Sequence, residues 1–62
     1  MKHILITCKI SNKLIYVNIN CIVYIYPHDT FCEILLMNDE KLHVVETMEE
    51  LLNQIRVINK LT

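Results

Sequence analysis

From His3 to Ile10 the chain alternates. Ile4, Ile6, Cys8 and Ile10 fall on one side, and His3, Leu5, Thr7 and Lys9 on the other. That two-residue period predicts a strand over 3–10 with one inner face. Ser11-Asn12 reads as a turn pair, since Asn tolerates the positive φ that a two-residue hairpin loop asks for. Such a loop sets Ile10 opposite Lys13, Cys8 opposite Ile15 and Ile6 opposite Val17. A second strand over 13–17 then turns Ile15 and Val17 inward. Leu14 and Tyr16 join Leu5 on the outer face.

Asn18-Ile19-Asn20 interrupts the apolar run. Asn bonds to nearby backbone and disfavours strand interiors, so a corner pinned by Ile19 is expected. The third strand covers about 21–26, with Cys21, Val23 and Ile25 on one face and Ile22, Tyr24 and Tyr26 on the other. Pro27 ends it, because proline cannot donate to a ladder. Strands over 31–37 and 41–46 flank a turn at Asn38-Asp39-Glu40. A two-residue loop there would set Glu33 opposite Val44 and place a charge on an apolar face. A three-residue loop sets Leu36 opposite Leu42 and Ile34 opposite Val44, with Cys32 alongside. It separates apolar from polar and is preferred.

The period then changes. Met48, Leu51, Leu52, Ile55, Ile58 and Leu61 recur at helical spacing in one stripe, predicting a helix over about 48–60. Thr47 with Glu50 forms a capping box, and Glu49 adds negative charge to the first turn. The stripe needs a surface to bury against. The sheet face of Ile6, Cys8, Ile15, Val17, Ile34 and Val44 supplies it. The expected fold is α+β: a small, mainly antiparallel five-stranded β-sheet with one C-terminal helix packed on one face, a single domain over 1–62.

Composition sharpens that picture. A chain of 62 residues buries only about 60% of the surface its unfolded form exposes. Yet 53% of its residues are apolar, above the usual ~45–50%. One helix covers one side of the sheet, and the other side carries Leu5, Leu14, Tyr16, Tyr24, Leu35 and Val45. Left bare, such a patch marks an interface. These six residues are therefore the expected contact surface of a homo-oligomer, with a two-fold dimer as the default. Any further protein partner is not named by the sequence.

Charge and chemistry exclude other classes. The net charge is −1, and Lys2, Lys9, Arg56 and Lys60 are too scattered to track phosphates. Tyr16, Tyr24 and Tyr26 could stack on bases, but no Lys or Arg lies between Asn18 and Met37. They read as packing or interface tyrosines. The three cysteines are odd in number and far apart, which fits reduced thiols rather than a disulfide framework. Cys8, Cys21, Cys32, His28 and His43 lack the paired spacing of a zinc site. A Cys–His nucleophile needs a cleft that so short a chain does not build. No metal, cofactor or catalytic residue is expected. The histidines read as solvated, and Glu33, Asp39, Glu40, Glu46, Glu49 and Glu50 as a solvated edge and cap. The N-terminal apolar run is shorter than the ~7–15 residues of a secretion signal. No run reaches the ~20 of a membrane span. A cytoplasmic location is the expectation.

The run Val17-Asn18-Ile19-Asn20-x-Ile22-x-x-Ile25 is followed by Asp29-Thr30, Asn38-Asp39, Val44-Val45 and Thr47-x-Glu49-Glu50-Leu51-Leu52. Over about residues 12–58 this pattern resembles the small flagellar FlbD-type proteins. Its strand–turn–strand–helix rhythm is similar, more distantly, to one half of a LytTR-type DNA-binding domain. The FlbD-type family usually has Gly where this chain has Asn12-Lys13 and Asn38-Asp39, and the first strand here is longer and more apolar. The first resemblance implies a small cytoplasmic bacterial protein without enzymatic activity. The second implies the alternative of a small DNA-binding or transcription-regulating protein.

Overall fold

The computed structural model describes residues 2–61, and the side chains of residues 2–60. The strands are β1 (His3–Thr7), β2 (Leu14–Asn18), β3 (Ile22–Pro27), β4 (Cys32–Leu36) and β5 (Lys41–Val44). A 3₁₀ turn at Ile19–Cys21 joins β2 to β3, and the helix α1 spans Met48–Leu61. All strand pairs are antiparallel, and α1 packs against β1 and β3. The α+β fold is the one that the residue pattern predicts.

The five strands do not make one continuous sheet. They form a two-stranded sheet, β1-β2, and a three-stranded sheet, β3-β4-β5. An isolated bridge between Cys8 and Val44 joins them. There the Lys9 N–H donates to the His43 carbonyl at 2.8 Å and the Val45 N–H to the Thr7 carbonyl at 3.1 Å. The predicted first strand stops at Thr7, because the chain enters its hairpin loop just past the bridge at Cys8.

Both hairpins differ from expectation in register but keep their faces. In the first, Ile6 pairs with Ile15 and Ile4 with Val17. The Cys8 N–H donates to the Lys13 carbonyl at 2.9 Å, so the loop is Lys9–Asn12 rather than Ser11-Asn12. A two-residue type I′ loop needs positive φ at both positions. The longer loop needs it only at Asn12, where φ is 59°. In the second hairpin Ile34 pairs with Leu42 and Cys32 with Val44. The loop has three residues but sits at Met37–Asp39, because Asp39 takes the left-handed position with φ 67°. Moving a register by two residues preserves which side each residue faces, so the apolar faces stay as predicted.

Strand β3 corrects the alternation. Ile22 pairs with Leu36 but Tyr24 pairs with Leu35, a bulge at Val23. The extra residue resets the pleat. Ile22 and Ile25 therefore both pack against the core, while Val23 is exposed. The corner before it is as the Asn pair suggests. The Asn18 Oδ1 accepts from the Asn20 N–H at 2.9 Å, and Ile19 packs against the core.

The core is Ile4, Ile6, Val17, Cys32, Ile34, Val44 and Leu51. Met48, Ile55 and Ile58 of the helical stripe pack around it, whereas Leu52 is partly exposed. The side chain of Leu61 lies outside the described residues. At the helix start the Thr47 Oγ1 accepts from the Glu50 N–H at 3.2 Å, and the Glu50 Oε1 accepts from the Thr47 N–H at 3.1 Å. This is the capping box that the sequence predicts.

Side chains close the edge of β1 that faces away from β2. The Leu5 N–H donates to the Gln54 Oε1 at 2.8 Å, and the Gln54 Nε2 donates to the Leu5 carbonyl at 2.8 Å. The Thr7 N–H and Oγ1–H donate to the two Glu46 carboxylate oxygens, each at 2.7 Å. Backbone groups in a half-buried seam need partners, and here an amide and a carboxylate stand in for a missing strand.

Candidate functional site

The six residues expected at an oligomer contact divide between the two sheets. On β1-β2, Leu5 is half-buried opposite Tyr16, which is 72% exposed. Leu14, 66% exposed, stands opposite Thr7 on the same side. On β3-β4, Tyr24 lies opposite a half-buried Leu35. Val45 is exposed just past β5, where its N–H reaches Thr7. None of the six belongs to the buried core. Sequence reasoning missed the exposure of Val23 and Ile10. The first follows from the bulge and the second from the longer hairpin loop, and neither has a signal in residue alternation.

The outer face of the three-stranded sheet also gathers a polar and aromatic cluster that the sequence reading dispersed. Glu33 is its centre. The Tyr24 Oη–H donates to the Glu33 Oε2 at 2.6 Å. His28 and His43 bring their Nε2 atoms to 3.4 Å and 3.7 Å from the Glu33 Oε1. The Tyr24 hydrogen bond holds the Glu33 carboxyl below its ordinary range, helped by His28 and Lys41 and opposed by desolvation. The same hydrogen bond raises the Tyr24 phenol. Rings continue outward from there. Tyr26, His28, Phe31 and His43 follow one another at centroid distances of 5.0, 4.5 and 4.8 Å, and the Lys9 Nζ lies 4.4 Å from the Phe31 centroid.

The two histidines expected to be solvated thus share one carboxylate. The pairing of Glu33 with His43 follows from the β4-β5 register. His28 arrives through the turn, where its N–H donates to the Phe31 carbonyl at 2.7 Å. Sequence alternation signals neither contact.

The cysteines stay apart from this cluster in character. Cys32 is buried in the core, Cys21 is exposed on the 3₁₀ turn, and Cys8 is half-buried at the bridge between sheets. All three are free thiols. Hydrogen bonding from Ser11 lowers the Cys8 thiol, and burial raises that of Cys32. Among the described residues no group of three or more His, Cys, Asp or Glu side chains is placed to hold a metal ion. Tyr16 sits on a different sheet from Tyr24 and Tyr26. The concavity between the 27–31 turn and the 45–48 segment holds about 170 Å³, and a more open one beside His3, Asn53, Gln54, Val57 and Ile58 holds about 350 Å³. What the surface does offer is exposed apolar and aromatic area on both outer faces. No described helix is long and apolar enough to cross a membrane. Comparison with known protein families, with curated proteins and with solved structures finds no match.

Proposed function

We propose that the chain is a non-catalytic protein-interaction module that associates with a second copy of itself. One observation carries the reading: the largest outward side chains of β2, Leu14 and Tyr16, are 66% and 72% exposed on a strand whose inward side chains complete the core. With Leu5 opposite Tyr16 they form an adjoining apolar surface, and a contiguous exposed patch is what marks an interface. If the six outer residues bury ~400 Å² per subunit at ~25 cal/mol per Å², the gross gain is on the order of 10 kcal/mol per subunit. Association and side-chain ordering offset much of that and leave room for a surplus. The resemblance to FlbD-type proteins supports a small non-enzymatic protein of the bacterial cytoplasm.

Sedimentation equilibrium at ~100 μM tests the reading, a concentration well above typical dissociation constants of stable dimers. A dimer mass is expected. A monodisperse monomer of 7.4 kDa overturns it. Tyr16→Lys combined with Leu35→Glu should return the dimer to monomer. An unchanged mass removes the outer faces as the interface.

A further inference from the structure

Among the described residues every strand edge is closed or spoiled except one. The edge of β1 that faces away from β2 is occupied by Gln54, Glu46, Val45 and His43. The free edge of β3 carries the bulge at Val23 and ends in Pro27, both of which obstruct further pairing. Strand β4 is paired on both sides. Strand β5 pairs with β4 and meets β1 at the bridge. Strand β2 pairs only with β1. Its sequence, Leu-Ile-Tyr-Val-Asn, has no charge, no proline and no bulge. An uncharged, regular edge is the kind that accepts another strand.

The hydrogen-bond directions say which groups are offered. The Cys8 N–H donates to the Lys13 carbonyl, and the Ile19 N–H donates to the Lys2 carbonyl. Both pairs follow the ladder register, so the odd residues of this segment, Ile15 and Val17 included, face β1. The Leu5 backbone confirms the phase, because both its polar groups go to Gln54 rather than to Tyr16. Leu14 and Tyr16 therefore point their N–H and C=O groups out of the free edge, and Asn18 its N–H, while the Asn18 carbonyl opens the 3₁₀ turn. Their side chains share the outer face, where Tyr16 and Leu14 are the exposed pair.

We propose that two copies join through this edge, β2 against β2, antiparallel about a two-fold axis at Tyr16. The inference rests on the self-association reading and narrows it to the β2 edge, where Leu14 and Tyr16 are the two of the six outer residues that stand in the contact. Tyr16 is the middle of the five residues, so the register is self-complementary. Tyr16 meets Tyr16, and Leu14 meets Asn18 in both directions, for about four inter-chain hydrogen bonds to free acceptors and two more from the Leu14 N–H groups to Asn18 carbonyls that take a second donor. Lys13 falls opposite Ile19 of the other copy, so no like charges oppose. The two small sheets become one four-stranded sheet. Its outer face carries Leu5, Leu14 and Tyr16 from each copy in one strip. Each tyrosine brings about 150 Å² or more of burial capacity to the centre. A two-fold contact uses up both edges, so assembly stops at two.

Amide exchange by NMR on the native chain, run beside sedimentation equilibrium across a concentration series, tests this. Expected is a dimer mass together with slow exchange at Leu14, Tyr16 and Asn18, by tenfold or more relative to dilute protein. Ile15 and Val17 should be protected at every concentration, because β1 already holds them. A dimer in which those three amides stay fast overturns edge pairing and leaves self-association standing. A monomer at ~100 μM overturns both, and leaves the edge for a different chain. A mass that keeps growing with concentration overturns the two-fold closure. In a Cys8→Ser, Cys21→Ser background, Tyr16→Cys should oxidise to a cross-linked dimer, since directly paired Cα atoms lie ~5.5 Å apart. Leu14→Cys should not cross-link to itself. The opposite pattern overturns the register.

Discussion

Gln54 grips Leu5 by both ends of its peptide. The N–H of Leu5 donates to the amide oxygen and the carbonyl accepts from the amide nitrogen, each at 2.8 Å. The two residues are far apart in sequence, and the contact ties the helix to the first strand where no neighbouring strand reaches.

Truncating that amide should be costly for its size. Gln54→Ala leaves a half-buried N–H and C=O without partners, a loss of about 1–3 kcal/mol. Gln54→Glu keeps an acceptor and loses the donor at neutral pH. A protonated carboxyl restores the donor, so its folded pKa should be raised. A raised pKa contributes stability below the unfolded value that is lost as pH rises. Chemical denaturation of wild type and both variants at about pH 4 and about pH 7 checks this. The Gln54→Glu deficit should shrink at the lower pH, and the Gln54→Ala deficit should not.

Glu33 predicts a response to acid. Its carboxyl is held low, first by the Tyr24 hydroxyl and then by His28 and Lys41. His43 also faces it. A depressed carboxylate contributes stability above its unfolded pKa, and that contribution disappears as pH falls through the folded value. Thermal midpoints followed from about pH 7 to about pH 3 should fall more steeply for wild type than for Glu33→Gln. Parallel curves would remove the charged cluster as a source of stability.

The two left-handed turn positions predict a gain. Asp39 sits at φ 67° in a conformation that glycine reaches without a Cβ penalty. Asp39→Gly should raise stability by about 0.5–1 kcal/mol. Denaturation midpoints at matched slope measure it. A loss would mean that the Asp39 side chain contributes more than its backbone costs.

Thiol reactivity separates the cysteines. Cys32 is buried with a raised thiol pKa, and Cys8 has a lowered one. The thiolate is the reactive form. Under native conditions iodoacetamide should modify Cys8 and the exposed Cys21 well before Cys32, read by peptide mass spectrometry. Equal labelling of Cys32 would contradict the packing around it.

The strands, the helix and its cap were legible because each rests on local chemistry. Ile4 and Ile6 alternate, Leu51 and Ile55 recur at helical spacing, and Thr47 answers Glu50. In the β1-β2 and β4-β5 hairpins the inner and outer faces were legible too, since a register error of two residues leaves them unchanged. The registers themselves were not, because Asn12 and Asp39 choose the loops through φ rather than through composition. Nor was the bulge at Val23, where nothing in Cys-Ile-Val-Tyr-Ile marks the extra residue. Gln54 falls between Asn53 and Ile55 on the helix with no sequence signal that marks it. Its role depends on the helix lying beside the edge of β1, which is a tertiary fact. In the Glu33 cluster, the pairing with His43 comes with the observed register and His28 is delivered by a turn, so neither contact was legible.

The joint between the two sheets has a consequence for how sequence change acts on this protein. A backbone ladder is indifferent to side-chain identity, so most substitutions leave it as it was. Here part of the joint is spelled out in two letters, Gln54 and Glu46. A substitution at either residue therefore acts on the seam beside β1 while leaving the apolar core residues as they are.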